Sequence, residues 1–552
     1  MTKELQIQRP LLLALLLLTL FRWVMAGHNE LSEDEAYYHM WSERMAPSYY
    51  SKGPGIAAVM KVSTSIFGHE EFGIRFFAPL LALGSSLMLF RLGRGIFGRQ
   101  SAAWAVLLLN LTPIFNAGSM LMTIDALSIF LWIAAMLMVW HALHRASKWT
   151  VYWPLAGLMI GLGFLAKYTN ALLLLSIALL LIAHRRWRGQ LGKPGPYLCL
   201  AVFLLCTIPV LIWNQQHDWI TVTHLKERGD LDEATGLKPL KALEFFLGHL
   251  SVYSPLIFLG MLWALAISIR RFYKDEGEAF LLAFSAPIIV LYFFLSFRSG
   301  GELNWTAPGF VGVGLLLAHH WFRWDARPQL KRRLCRAALV LAVGMSLLAL
   351  NTDLLRQFGV PWSYKRDPRI PALSATELLS RPWQLLANAP DPSVRLRGWK
   401  SSAAYCAEVV RAQEQAVFLI ANRYQTAAAL GHYLPNDLDI IRPTPAHPRV
   451  HTPESPAPEH QFWFWPGYSQ VEEVKMVLSE DGSDTFREEI SPFIGQDALY
   501  LSDDMKRKSP DERIKNSFRE WELIMVVDIL RRGRFLRQLR IFHCKQYKGL
   551  DL

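Results

Sequence analysis

The chain has 552 residues, of which 52% are hydrophobic and 19% charged, and its formal net charge is +12. So large an apolar share, gathered in runs of about 16 to 25 residues, excludes an ordinary soluble protein and fits helices that cross a ~30 Å hydrocarbon core. In a soluble protein the positive charge would suggest nucleic acid; here basic cytoplasmic loops account for it, and no nucleic-acid partner is expected. Five cysteines show no CxxC pair and no metal-ligand spacing. Cys406 and Cys544 lie in the tail and can pair only in an oxidising compartment.

The apolar runs predict about eleven spans. They fall near residues 10–26, 72–90, 101–117, 121–142, 151–166, 169–184, 197–213, 244–269, 279–297, 304–321 and 336–352. The first resembles a signal peptide, but the many spans that follow read it as a retained helix. Alternate loops are rich in cations: Arg91, Arg94 and Arg99; Arg145 and Lys148; Arg185, Arg186, Arg188 and Lys193; Arg270, Arg271 and Lys274; then Arg323 to Arg336. The positive-inside rule places these loops and the N-terminus in the cytoplasm, and an odd span count places the C-terminus outside. Two outer segments are long. Residues 27–71 carry the acidic stretch discussed below. Residues 214–243 carry His217, Asp218, His224, Lys226, Glu227, Arg228, Asp230, Asp232 and Glu233, which suits either a mobile lid or a solvated connector.

From about residue 353 apolar runs shorten and Pro, Trp and charged residues increase, which predicts a small soluble α/β domain over 353–552 after a membrane domain over 1–352. Val417–Ile420 reads as a buried strand, Thr426–Leu434 as a helix, and Phe462–Trp465 and Leu523–Val527 as further strands. The Pro- and His-rich stretch 435–460 reads as a surface loop, with His447, His451 and His460 solvated.

Ionisable residues at membrane depth are costly and usually functional. Span centres here are nearly free of them; those present cluster at span ends on the outer side. They are Asp34 and Glu35, Lys52 in the turn Lys52-Gly53-Pro54-Gly55, Asp125, Lys167, and Arg298, Glu302 and Asn304. A set at one depth predicts a site at the membrane surface. Each member also has an ordinary explanation. Asp125 is suited to cap a helix N-terminus, Lys167 and Arg75 to anchor at headgroups, and Glu35 to pair structurally with Asp34. The chemistry that fits the set is sugar transfer from a lipid phosphate. Lys52 and Lys167 would neutralise the departing phosphate. A carboxylate, Asp34 or Glu35, would take a proton from an acceptor hydroxyl. Tyr37, Tyr38, Tyr49, Tyr50 and Trp305 would stack on sugar rings.

The ordered motifs carry a resemblance. Asp34-Glu35-Ala36-Tyr37-Tyr38, then Tyr49-Tyr50 and the Gly/Pro turn, then Phe67 to Arg75, resemble the bacterial polyprenol-phosphate-sugar glycosyltransferases. These belong to the superfamily of the protein O-mannosyltransferases and the lipid A aminoarabinose transferase. Met122 to Leu127, Gly163 to Asn170 and Asn304 to Pro308 also resemble its recurring motifs, and the match runs in order over roughly residues 10–320. The resemblance implies an α-helical polytopic membrane protein of the C-type glycosyltransferase fold in a bacterial inner membrane. It implies inverting transfer at the periplasmic face from an undecaprenyl-phosphate-linked sugar to a lipid, glycan or protein acceptor. It implies Asp34 as the catalytic carboxylate and Lys52 as a donor-phosphate contact, with Asp125 and Lys167 near the same cavity; Asn170, Glu302 and Asn304 are further candidates to line it. The turn departs from the family's His-Pro-Pro or Lys-Pro-Pro. Some relatives bind a divalent metal ion near the first loop; the acidic residues here supply no ligand set that can be assigned. The alternative is a transporter or flippase of a lipid-linked glycan, a class marked by internal repeats and charged midplane helices, neither of which this sequence contains.

Overall fold

In the computed structural model, residues 3–145, 150–229, 236–298, 300–353, 391–470, 473–478 and 485–550 are described. They divide into two compact units, Met1–His28 with Met45–Asn351, and Asn29–Arg44 with Thr352–Leu552. The second unit thus includes the acidic stretch of the first outer loop, which the sequence reading assigned to the membrane domain. The expected positions of Asp230, Asp232 and Glu233 lie outside the described residues.

The first unit is a multi-pass membrane helix assembly. Among the described residues, six helical segments are long and apolar enough to cross a bilayer: Arg9–Ala26, Glu71–Phe97, Ile124–Leu143, Pro194–Gln216, Glu276–Ser296 and Pro328–Leu350. The predicted span 244–269 is instead a bent pair, Pro239–Tyr253 and Pro255–Arg271, meeting at 113°. Ser254 between them has φ 70°, and Pro255 both lacks an N–H and drives its predecessor out of the helical region. The predicted spans 101–117, 151–166, 169–184 and 304–321 correspond to shorter helices. Pro113 starts a new helix after Arg99–Leu111, and tight turns at Tyr168–Ala171 and Leu303–Thr306 precede Leu172–Ala183 and Ala307–Arg323.

Small residues set the closest helix crossings, as expected where lipid offers no hydrophobic drive for association. Gly157 and Gly161, a G-x-x-x-G pair on helix Tyr152–Ala166, abut the Cys199 backbone and the Cys206 side chain of Pro194–Gln216. Arg75 is buried, at 1% exposure, and donates to the Ala26 carbonyl at 2.8 Å. Ala26 ends the first helix, so Arg75 caps unsatisfied C-terminal carbonyls with a cation. It is not the headgroup anchor that the sequence suggested.

The second unit has a four-stranded mixed sheet and a separate hairpin. The strands are β1 (Phe418–Ala421), β2 (Glu473–Leu478), β3 (Thr485–Ile490), β4 (Ala498–Ser502), β5 (Phe518–Arg531) and β6 (Arg534–Tyr547). The sheet order is β1-β4-β6-β5, with β2 and β3 paired apart. β1 runs parallel to β4, and the other sheet pairs are antiparallel. The predicted strand, helix and strand at 417–420, 426–434 and 523–527 fall in β1, helix Tyr424–Tyr433 and β5. Phe462–Trp465 is not a strand; Gln461–Phe464 forms a tight helical turn.

The His-rich stretch is not a solvated loop either. The His451 backbone donates to the Leu419 carbonyl and accepts from Ala421 N, both at 2.8 Å, so this segment runs beside β1. His447 and His451 are buried there, and burial pushes the His451 imidazole down to about 3. Cys406 and Cys544 are buried free thiols.

Arg75→Met removes the cap on the Ala26 carbonyl and leaves that carbonyl buried without its donor. A loss of about 1–3 kcal/mol is expected, read as a lower unfolding temperature of the detergent-purified protein. A headgroup anchor would show no such loss in detergent.

Candidate active site

In the first unit Asp125 is the hub. It lies in the first turn of helix Ile124–Leu143. Its two oxygens take different partners: Lys167 Nζ donates to Oδ1 at 2.7 Å and Asn304 Nδ2 to Oδ2 at 2.6 Å. Three chain segments that are remote in sequence therefore meet on one carboxylate. Lys167 is only 5% exposed, so it does not snorkel to headgroups; a buried ammonium needs such a partner.

The motif around Lys167 shows how the pair is built. Lys167 follows helix Tyr152–Ala166 with extended backbone. Asn170, fully buried, accepts from Ser128 Oγ at 2.5 Å and donates to the Ser128 carbonyl at 3.1 Å. Gly163 leaves the space that the Asn170 amide fills. Asn170 thus pins its segment to helix Ile124–Leu143, one turn along from where Lys167 meets Asp125. Both ends of its amide are spent on Ser128, which gives Asn170 a positioning role.

The lysine turn is docked on the same segment. A Cβ on Gly53 would collide with the Leu165 carbonyl, and one on Gly55 with the Leu165 and Ala166 backbone. Glycine is needed here for close backbone approach, and the turn delivers Lys52 beside the segment that carries Lys167. Tyr50 lies 4.7 Å, ring to ring, from His224. Burial, with the positive charges of Lys52 and Arg228 added to it, holds His224 down at about 4. Arg228 lies over the Trp305 ring at 5.1 Å, a cation–π contact, and Trp305 in turn meets Tyr292 at 5.0 Å. Glu302 is exposed; its carbonyl accepts from Trp305 N at 3.0 Å. The structure therefore brings together Tyr50, Lys52, Asp125, Lys167, Asn304 and Trp305, and adds His224, Arg228 and Tyr292. The missed signal was His224 and Arg228 at i, i+4 spacing, which puts them on one face of helix Ile220–Arg228.

Asp34, Glu35, Tyr37 and Tyr38 belong to the second unit. Their helix, Glu33–Glu43, opens with a capping box: Glu35 N donates to Ser32 Oγ at 3.2 Å and Ser32 N to Glu35 Oε2 at 3.0 Å. The signature Ser32-x-x-Glu35 was legible in the sequence and was missed. Glu35 is fully buried, while Asp34 is exposed on the first turn, where helix N–H dipoles favour negative charge. Tyr37 is buried against Tyr424 and Phe462, at 4.6 and 6.0 Å, and its hydroxyl accepts from Gln461 N at 2.7 Å. Tyr38 is buried too, edge-on to Trp41 at 5.0 Å. Arg423 bonds Glu33 at 3.3 Å and pairs with Asp503. His39 and Glu43, four residues apart on this helix, are two of the ligands a divalent ion near the first loop would need.

Residues 51–213 match the family described as dolichyl-phosphate-mannose-protein mannosyltransferase. The chain is 30% identical over 312 residues to the lipid A galacturonosyltransferase RgtD of Rhizobium johnstonii, covering 56% of this chain and 64% of that protein. It is 28% identical over 316 residues to the undecaprenyl phosphate-alpha-4-amino-4-deoxy-L-arabinose arabinosyl transferase 1 of Sodalis glossinidius, covering 54% of each. The match thus spans about half to two thirds of the length of these curated relatives. The fold is shared with ArnT from Cupriavidus metallidurans bound to undecaprenyl phosphate, at TM-score 0.57 and 15% identity, over 96% of this chain and 97% of that one.

Asp125→Ala should cost on the order of 3 kcal/mol by leaving Lys167 buried without its counter-charge, with a matching fall in unfolding temperature; an unchanged temperature would contradict the hub. His224 also sets a pH dependence. Its folded pKa lies below the unfolded value near 6.5, so its contribution is complete above pH ~6.5 and is lost as pH falls toward 4. The difference in unfolding temperature between wild type and His224→Gln should change across that window and level off above it.

Proposed function

We propose that this chain, which belongs to the superfamily of polyprenol-phosphate-sugar glycosyltransferases, moves a sugar from an undecaprenyl-phosphate donor to a cell-envelope acceptor. The observation that carries the reading is the cationic group of the first unit. Lys167 is paired with Asp125, Lys52 and Arg228 both act on His224, and Arg228 lies over Trp305, which meets Tyr292. Preorganised cations of this kind stabilise charge that develops on a leaving group. A phosphate monoester tethered to a membrane lipid is the leaving group that such a group, at the ends of apolar helices, would take.

In this reading the donor phosphate lies against Lys52 and Arg228. Lys167 is held rigid by Asp125, so it contributes field without moving. Trp305 and Tyr50 offer faces to the sugar. The acceptor hydroxyl attacks the anomeric carbon from the side opposite the phosphate. The carbon–oxygen bond to phosphate breaks with its electron pair, and configuration inverts. Asp34 is the proposed base that takes the hydroxyl proton, on the strength of its residue type, its exposure and its motif. Glu35 is spent in the capping box and fixes the start of the helix that carries Asp34; it is a positioning residue. Asn170 and Asn304 position the Lys167–Asp125 pair.

The acceptor is proposed as lipid A or another envelope lipid or glycan, following the named activity of the galacturonosyltransferase relative. The same reading gives a bacterial inner-membrane location with the second unit on the periplasmic side, resting on the excess of Arg and Lys in alternate loops.

Transfer assays with an undecaprenyl-phosphate sugar and isolated lipid A test the base. Asp34→Asn should lower turnover by about 10²–10⁴-fold, the range for a lost general base, in protein that still folds and reaches the membrane. Glu35→Gln should retain activity, since glutamine also closes a capping box. Glu35→Ala should lose about 1 kcal/mol of stability. Full turnover in Asp34→Asn would remove Asp34 from the mechanism.

A further inference from the structure

Helix Ala307–Arg323 starts beside Asn304 and Trp305 and ends, roughly 20 Å further along, in a second polar cluster that the transfer reaction does not use. Its members are Glu278, His319 and His320, all buried. Their ligand atoms all lie within 4.8 Å of one another. Adjacent residues on a helix point about 100° apart and do not normally share a target. Yet His319 Nε2 and His320 Nε2 both approach the Glu278 carboxylate, at 3.9 Å from Oε1 and 3.3 Å from Oε2.

The contacts around the three side chains leave one oxygen over. Arg271 Nε donates to Glu278 Oε1 at 2.8 Å. His320 Nε2 is 2.8 Å from Ser268 Oγ, and Arg323 reaches His319 Nε2 at 3.1 Å. Phe97 stacks on His319 at 3.7 Å. Glu278 Oε2 is buried and makes no hydrogen bond among the described residues. A buried, unsatisfied carboxylate oxygen is costly and calls for an explanation. The 3.3 Å gap to His320 is not closed by a hydrogen bond, but it is roughly the spacing of two ligands about 2.0–2.1 Å from one tetrahedral ion.

We propose that Glu278, His319 and His320 form a divalent-metal site of the zinc class. Two imidazoles and one carboxylate match the nitrogen and oxygen donors such an ion takes. Arg271, which holds Oε1, is the outer partner that orients the carboxylate. Arg323 is exposed at the helix end and leaves His319 when the ion enters. The ion clamps helices Glu276–Ser296 and Ala307–Arg323 together, with Pro255–Arg271 attached through Arg271, and Ser268 gives up its contact with His320 Nε2 when the ion enters. Its role is structural, at the helix ends remote from Asp125.

The test uses the full chain in detergent, stripped with EDTA and titrated with Zn²⁺ alone, and separately with Co²⁺ followed by its visible absorption. Wild type should take up one equivalent per chain, unfold at a higher temperature when loaded, and give the intense Co²⁺ spectrum of a site with four or five ligands. His320→Gln and Glu278→Gln should each weaken uptake by at least about 100-fold. Arg323→Ala, which removes the competitor for His319, should tighten it. The wild-type titration depends on no variant folding. Uptake by wild type no greater than by Glu278→Gln, or a weak octahedral Co²⁺ spectrum, would overturn the site and leave an Arg271–Glu278 ion pair alone. Neither readout involves sugar transfer, so this result and the transfer assay stand or fall separately.

Discussion

The Lys167–Asp125 ion pair is the constraint on which the first unit's site depends. A lysine with 5% exposure at the end of a membrane helix is tolerated only with a counter-charge in place. Asp125 supplies it, and because a carboxylate has two oxygens it also holds Asn304. One pair thereby ties together three segments widely separated in sequence. The other features are arranged to protect it: Asn170 fixes the distance through Ser128, Gly163 makes room for Asn170, and Gly53 lets the lysine turn lie flat on Leu165. The residues that look most dispensable, the glycines and the amide, decide where the charges stand.

The second unit works by a different principle. Helix Glu33–Glu43 begins with a reciprocal cap and buries its aromatic face, with Tyr37 against Tyr424 and Phe462. The polar segment before and within it is bound to the same unit: Leu31 N donates to the Tyr433 hydroxyl at 2.6 Å, and Glu33 bonds Arg423. Asp34 is exposed on a helix whose remaining face is fixed by packing. A proposed base needs that combination, an accessible carboxylate on a rigid carrier.

Much of this was legible from residue types. Long apolar runs announce helices because a bilayer imposes their length, and the Lys52 turn, Asp125 and Lys167 stood out because charge near a membrane is expensive. What was not legible depended on partners from distant segments. The pattern could not reveal that Asn170 spends its amide on Ser128 or that Arg75 caps Ala26, since both are contacts between separate helices. Hydropathy averaged across Ser254 and missed a 113° bend, because one local backbone angle does not change composition. His447 and His451 read as solvated because polarity was visible and the pairing of their segment with β1 was not. The capping box was different: Ser32 and Glu35 stand three residues apart at the start of the helix, so the cap was legible in the sequence, although the structural partner expected for Glu35 was Asp34 rather than Ser32.

The most direct test of the central claim is the unfolding temperature of the full chain in detergent with undecaprenyl phosphate alone. Wild type should be stabilised by the lipid, because a ligand that binds only the folded state must raise apparent stability. The shift should be largely lost in both Lys52→Ala and Arg228→Ala. Equal stabilisation of all three proteins, or none in a folded wild type, would contradict a phosphate site built around the Asp125–Lys167 pair.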